Sequence, residues 1–240
     1  MYERMKKNIA IFLMLLLSTI GAMAQEEENP VGRFSVIPRI GVALSNWSDN
    51  DIMVNMNGSE EIKSKNQEGF LGGLDVEYRA SEYVGVSLGA YYARQGFRYP
   101  DFETETDADK KLYTGTRNQH VNLDYIQVPL MLKAYVTRQF VAQVGVQAGF
   151  LCGDGKFLAE ETELEKDKNG STVHKDTKSV SSTWPAKKMD ISIPIGVSYE
   201  YMNVILDARY NIGLTNVNKD DLSKSKNKVL TFTVGYRFTL

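Results

Sequence analysis

The chain has 240 residues, 42% of them hydrophobic and 24% charged, with 28 basic against 30 acidic side chains. That length suits one domain of ordinary size, and the near-neutral charge supplies no basic field for nucleic acid. The only cysteine, Cys152, leaves no internal disulfide, and with two histidines it cannot build a zinc site of usual spacing.

The first residues read Met5-Lys6-Lys7-Asn8, followed by an apolar stretch over 9–20 interrupted only by Ser18 and Thr19, then Gly21-Ala22-Met23-Ala24-Gln25. A positive segment, a short apolar segment and small residues at A-x-A spacing form a secretory signal. The apolar stretch is shorter than the roughly 20 residues of a spanning helix. The expected division is a signal peptide over 1–24, a periplasmic N-terminal segment over 25–33 and one domain over 34–240. Cleavage after Ala24 leaves 25 basic and 29 acidic side chains, a net charge of −4. Because no cysteine stands just after the apolar stretch, Cys152 lying far downstream, lipid anchoring is not expected.

From residue 34 onward the dominant signal is a period of two, which predicts strands with one apolar and one polar face. Phe34, Val36, Pro38, Ile40, Val42 and Leu44 alternate with Ser35, Arg39, Gly41, Ala43 and Ser45. Phe70, Gly72, Leu74, Val76 and Tyr78 alternate with Gly73, Asp75, Glu77 and Arg79, and Val84, Val86, Leu88, Ala90 and Tyr92 with Gly85, Ser87, Gly89 and Tyr91. The fourth segment sets Ile126, Val128, Leu130, Leu132, Ala134 and Val136 against Tyr125, Gln127, Pro129, Met131, Lys133 and Tyr135. The fifth sets Phe140, Ala142, Val144, Val146, Ala148 and Phe150 against Gln143, Gly145, Gln147 and Gly149. Ile191, Ile193, Ile195, Val197 and Tyr199 then oppose Ser192, Pro194, Gly196, Ser198 and Glu200, while Val204, Leu206, Ala208, Tyr210, Ile212 and Leu214 oppose Asn203, Ile205, Asp207, Arg209, Asn211 and Gly213. The last segment interleaves Leu230, Phe232, Val234, Tyr236, Phe238 and Leu240 with Thr231, Thr233, Gly235, Arg237 and Thr239.

Eight such segments, joined alternately by tight turns at 80–82, 137–139 and near Met202 and by long connections over 47–68, 97–120, 151–188 and 215–227, predict an all-β fold. The expected architecture is an eight-stranded antiparallel up-and-down transmembrane β-barrel with short periplasmic turns and long extracellular loops, in the cell outer membrane. The architectural rival is a soluble lipocalin-like barrel, which must turn its apolar face inward. Glycines among large charges in the polar set favour a narrow polar lumen, and aromatics near strand ends mark interfacial girdles.

The segment Tyr125-Ile126-Gln127-Val128-Pro129-Leu130-Met131-Leu132-Lys133 resembles a strand motif of the PorT-like outer-membrane β-barrel family, with Tyr125, Pro129 and Leu130 at its marked positions. Val234-Gly235-Tyr236-Arg237-Phe238-Thr239-Leu240 resembles the terminal signal read by barrel-assembly machinery, carried by Tyr236, Phe238 and Leu240, with Leu in place of the commoner terminal Phe. The resemblance spans 34–240 and implies an outer-membrane location. It implies no single activity, since some relatives belong to type IX secretion and others are small barrels without a known task.

Among candidate chemical groups, the polar face gathers Arg39, Asp75, Glu77, Arg79, Lys133, Glu200, Asp207, Arg209 and Arg237. Within eight strands the interior is just wide enough for side chains to fill it, so a lumen plugged by paired charges is expected; an ion path along the same carboxylates is the alternative. His120 near Asp124, and His174 in a long connection, are the available general bases, and no G-x-S-x-G motif accompanies them. No catalytic, cofactor or metal residues are assigned, although the acidic run over 101–109 is of a kind that gathers calcium or lipopolysaccharide-bridging cations. The connection over 153–187, poor in large apolar residues, reads as an exposed flap. Its Phe157, Leu158, Leu164 and Trp184 offer an extension of the strands above the membrane and a binding edge. The reading is a noncatalytic barrel with a structural or loop-binding role. Its expected partners are outer-membrane lipid and lipopolysaccharide, barrel-assembly machinery, and a protein at the extracellular loops or periplasmic turns. A component of a secretion or assembly complex and a narrow porin-like channel are the alternatives.

Overall fold

A computed structural model of the chain describes residues 31–55, 59–107, 112–166, 172–219 and 224–240. The expected signal peptide lies outside the described residues, as does most of the segment over 25–33. The strands in chain order are β1 (Phe34–Trp47), β2 (Ile52–Asn55), β3 (Ser59–Ile62), β4 (Lys65–Arg79), β5 (Val84–Arg98), β6 (Phe102–Asp107) and β7 (Leu112–Tyr135). They continue with β8 (Phe140–Leu151), β9 (Gly155–Lys166), β10 (Thr172–Trp184), β11 (Met189–Tyr201), β12 (Val204–Gly213), β13 (Asn227–Tyr236) and β14 (Phe238–Thr239).

Eight of these close a ring in the order β1, β4, β5, β7, β8, β11, β12, β13 and back to β1, with every pairing antiparallel. β14 carries the last strand past Arg237 onto the start of β1, where the Leu240 amide donates to the Phe34 carbonyl at 2.8 Å. No sheet edge is left open in the ring, so every wall strand has two neighbours.

The period of two becomes the two faces of this wall. Ile40, Leu206 and Val234 are 58%, 54% and 50% exposed on its outside, whereas Arg39, Asp75, Glu77, Lys133, Asp207 and Arg209 are buried inside. A soluble barrel would need the opposite arrangement. An apolar band running round the molecule is also far larger than the patches that monomeric soluble proteins expose.

Two prolines mark the inner face without breaking the ring. Pro129 has no N–H to give β5, and the β5–β7 pairs pass from Leu88↔Leu130 directly to Tyr91↔Gln127. Pro194 has the same effect toward β8, where pairing passes from Ser192↔Gln147 to Ile195↔Val144.

At one end the connections are tight. The Ser81 hydroxyl accepts from the amides of Tyr83 and Val84, and the Thr137 hydroxyl accepts from those of Gln139 and Phe140, one device used at two turns. Met202 and Asn203 both have positive φ, 48° and 65°, as the two-residue turn between Tyr201 and Val204 requires.

At the other end the chain departs from the sequence expectation. Much of the long connections is strand: β2 and β3 form a hairpin, while β6, the outer half of β7, β9 and β10 continue the wall as a sheet beyond the ring. Within the connection over 153–187, where an exposed flap was expected, the described residues form β9 and β10. Glu- and Lys-rich composition suggested a loop, yet Ala159, Thr162 and Leu164 are buried between exposed Glu160, Glu161, Glu163 and Glu165, a strand pattern with its polar face outward. The two additional long strands lie beyond the barrel wall, so the ring count stays at eight.

Candidate functional site

Two regions gather functional groups: the lumen, and the structure built on the loop end.

The lumen charges form two layers. In the first, Arg39 Nε stands 2.9 Å from Asp75 Oδ2 and its Nη1 3.2 Å from Asp207 Oδ2; Arg209 reaches Asp207 Oδ1 at 2.8 Å and Asp75 Oδ2 at 3.3 Å. Gln143 also donates to Asp207. The second layer, nearer the tight turns, centres on Glu77, which takes Lys133, Arg237 at 2.8 Å and the Tyr135 hydroxyl. Arg237 grips Glu200 with two parallel bonds of 2.7 and 2.9 Å. Below them the Arg79 guanidinium lies 3.7 Å over the Tyr135 ring and donates to the Glu82 carbonyl.

Room for these groups comes from glycine on the neighbouring strand. Arg39 is registered against Gly235, Asp75 against Gly89, Arg209 against Gly196, and Lys133 against Gly85. A Cβ on Gly89 would stand 2.4 Å from Asp75 Oδ1, one on Gly196 2.8 Å from Arg209 Cγ, and one on Gly235 2.8 Å from Arg39 Cγ. Beside them lies a hollow of about 10 Å³ lined by Tyr91, Gln127, Gln147 and Asn211, room for roughly one water.

All nine sequence-derived lumen charges therefore face inward, seven of them in this two-layer set, with Glu200 at its edge and Arg79 closing the turn end. Sequence reasoning missed Tyr135 and Gln143. Tyr135 shares the parity of Lys133 and Gln143 that of the uncharged polar row of β8, and that parity was the available signal.

Above the lumen the chemistry inverts. Trp47, Ile62, Phe97, Tyr99, Val121, Leu123, Tyr125 and Val217 form a buried apolar cluster to which all four long connections contribute. Phe97 is its hub, with ring centroids 5.0 Å from Trp47, 5.7 Å from Tyr99 and 5.4 Å from Trp184. Phe157 packs against the cluster beside Trp184, while Leu164 is buried farther out on the sheet. Tyr125 of the resemblance motif belongs to this cap, Pro129 faces the lumen and Leu130 faces outward. Burial pushes the Tyr99 hydroxyl up to about 12, with the Asp51 carboxylate adding to the shift; it donates to the Asn50 carbonyl at 2.6 Å.

The remaining candidates stand apart. His120 Nδ1 is 2.8 Å from the Asn118 carbonyl, and the Asp124 carboxylate is taken by Arg94 at 2.9 Å and the Tyr92 hydroxyl at 2.7 Å. The His174 backbone pairs with Glu165 on the sheet, near the start of β10. Of the acidic run, Asp101 accepts the Asn118 amide, and its last residues lie outside the described set. Among the described residues no three metal-ligating side chains converge.

A wall that is apolar outside and charged inside is the pattern of a barrel in lipid, and the sequence matches the family described as outer membrane protein beta-barrel domain over residues 23–219. The chain belongs to the outer membrane protein beta-barrel domain family. For a member of this family the tight turns are periplasmic and the sheet and aromatic cap extracellular. No curated protein matches the chain in sequence. Similar solved structures include Ail, the attachment invasion locus protein of Yersinia pestis, at 18% identity over 87% of this chain and 100% of that one, with a TM-score of 0.41. Neisserial surface protein A is similar at 17% identity over 85% and 97%, TM-score 0.37, and OprG of Pseudomonas aeruginosa at 14% over 88% and 99%, TM-score 0.33. None of these likenesses carries a role or a ligand to this outer-membrane barrel.

Proposed function

We propose that this outer-membrane barrel is a noncatalytic surface protein: its lumen is plugged, and its working surface is the extracellular sheet of β6, β7, β9 and β10. The observation that carries this reading is the inversion of polarity along the barrel axis. Charge pairs fill the interior within the membrane, and an aromatic core closes it above. Such an arrangement spends the interior on closure and leaves display as the remaining use of the loops. β10 is the free margin of the sheet, paired only to β9 among the described residues, and its Thr177, Lys178, Ser179, Ser181 and Ser182 are exposed. A strand edge of that kind offers backbone donors and acceptors to an extended partner.

The test combines closure and display. Purified protein in planar bilayers gives no steady conductance steps, and a photoreactive residue at Ser181 forms protein adducts on intact cells whereas one at Tyr83 in a periplasmic turn does not. Stable open steps would replace the plug with a narrow channel. Equal crosslinking from both positions would remove the assignment to the sheet.

The likeness of Tyr125 to Lys133 to the PorT-like strand supports a second reading, membership of a type IX secretion-like or assembly complex. That reading predicts copurifying partners that are lost on altering the periplasmic turns and kept when β10 is altered. Export is proposed to proceed by cleavage after Ala24, so the mature protein begins at Gln25 on N-terminal sequencing. Assembly is proposed to use Tyr236, Phe238 and Leu240, in keeping with their place at the closing seam with β1; Phe238→Ala slows insertion by purified barrel-assembly machinery.

A further inference from the structure

The open margin of the extracellular sheet carries a charge pattern that β9 does not satisfy. Along β10, Asp176, Thr177 and Lys178 are all exposed. Lys178 is registered against Glu161, an opposite charge, but Asp176 is registered against Glu163, a like one. Like charges directly opposite each other destabilise a sheet. Lys178 Nζ leans 3.9 Å from Glu163, too far for a hydrogen bond, and among the described residues Asp176 forms no ion pair. The other side of β10 is paired to no strand among the described residues. A strand added along that margin is placed to bring the cation that Asp176 lacks.

β10 is itself such a strand. When two copies pair antiparallel about a two-fold axis at Thr177, Thr177 faces Thr177, and each Asp176 lies directly opposite the other copy's Lys178 on one face of the joined sheet. The charges also select this register. Sliding one strand by two residues sets Lys178 against Lys178 in one direction and Asp176 against Asp176 in the other.

Strand direction fixes where the second copy stands. β7 runs unbroken from the sheet into the membrane wall, β9 is antiparallel to it, and β10 is antiparallel to β9, so β10 runs toward the membrane. The two-fold axis is perpendicular to the sheet and reverses that direction, which puts the second barrel in a facing membrane and not beside the first. We propose that β10 binds the β10 of a second copy in an apposed outer membrane, so that the protein joins two membranes by pairing with itself. The proposal rests on the extracellular display of β10 given above.

The test uses the full mature protein, with Cys152 replaced by serine, in phosphatidylcholine vesicles of two fluorescent colours, whose tethering is read as co-localisation. Vesicles with the native charges tether. Lys178→Asp lowers tethering about tenfold, as does Asp176→Lys, because each sets like charges opposite each other at both positions. Mixing vesicles of one variant with vesicles of the other restores tethering, since the charges across the two strands are then opposite in sign; a local weakening of the sheet would not be repaired by mixing. On mild oxidation Thr177→Cys gives a disulfide-linked dimer, its two Cα atoms standing about 4.5–5.5 Å apart in this pairing, whereas Ser181→Cys, far from the axis, does not. Undiminished tethering by Lys178→Asp alone, no recovery on mixing, or equal crosslinking at Ser181 overturns the proposal. Absence of tethering while Ser179→Cys on the vesicle exterior reacts with an impermeant maleimide overturns the pairing and leaves the display of β10 standing, whereas complete protection of Ser179→Cys overturns the display itself.

Discussion

Glu77 takes a hydrogen bond from Tyr135 and stands between two cations, Lys133 and Arg237, with all of these groups buried. Glu77→Gln strands both cations, and removing one partner of a buried pair costs about 3–5 kcal/mol. Guanidinium unfolding followed by gel mobility reads that loss, and adding Lys133→Met recovers part of it. Asp124 behaves differently because it lies above the membrane. Burial raises its carboxyl, but hydrogen bonds from Arg94 and Tyr92 outweigh burial and hold it below its ordinary value of 3.8. With the folded-state value below the unfolded one, its contribution is complete above 3.8 and is lost as pH falls through the folded value. The Arg94 Nε–H resonance is therefore constant from neutral pH down through mild acid and broadens or shifts only in stronger acid. At this scale the lumen was legible because alternation fixes parity, and parity decides which of Arg39, Ile40 and Gly41 turns inward. Which cation meets which carboxylate was not legible, since that depends on the stagger between strands far apart in sequence.

Gly96 marks where β5 passes from the membrane wall to the extracellular sheet. Its φ is 148°, a Cβ there would stand 1.7 Å from the Val121 carbonyl oxygen, and the Ser45 hydroxyl both accepts from its amide and donates to its carbonyl. Gly96→Ala places a side chain in a backbone region that costs roughly 1–3 kcal/mol. Faster amide exchange is expected in the adjoining part of β7, with the periplasmic halves of the strands unchanged. Phe97→Ala removes the hub of the cap, a change of about 3–5 kcal/mol for a buried Phe. It exposes β9 and β10 to exchange while heat-modifiable mobility of the barrel persists. The wall strands were readable from their period, including the tight turns between them. β9 and β10 were not, because a strand in water with its polar face outward and only Ala159, Thr162 and Leu164 inward has the composition of a solvated loop.

For the whole molecule, one rule, alternation, is applied with opposite sign on the two sides of the interface. In lipid the apolar set faces out and charges pair inside; in water the apolar set turns in, as Trp47, Phe97 and Tyr125 do, and the glutamates face out. Native Cys152, exposed at the corner between β8 and β9, is replaced by serine so that single cysteines at Ser179 on β10 and Val144 on the wall can be probed on intact cells with a membrane-impermeant maleimide. Ser179→Cys labels at once, and Val144→Cys stays unlabelled until the protein is unfolded in detergent. Ready labelling at Val144, or protection at Ser179, would contradict a barrel embedded in lipid that displays its outer sheet to water.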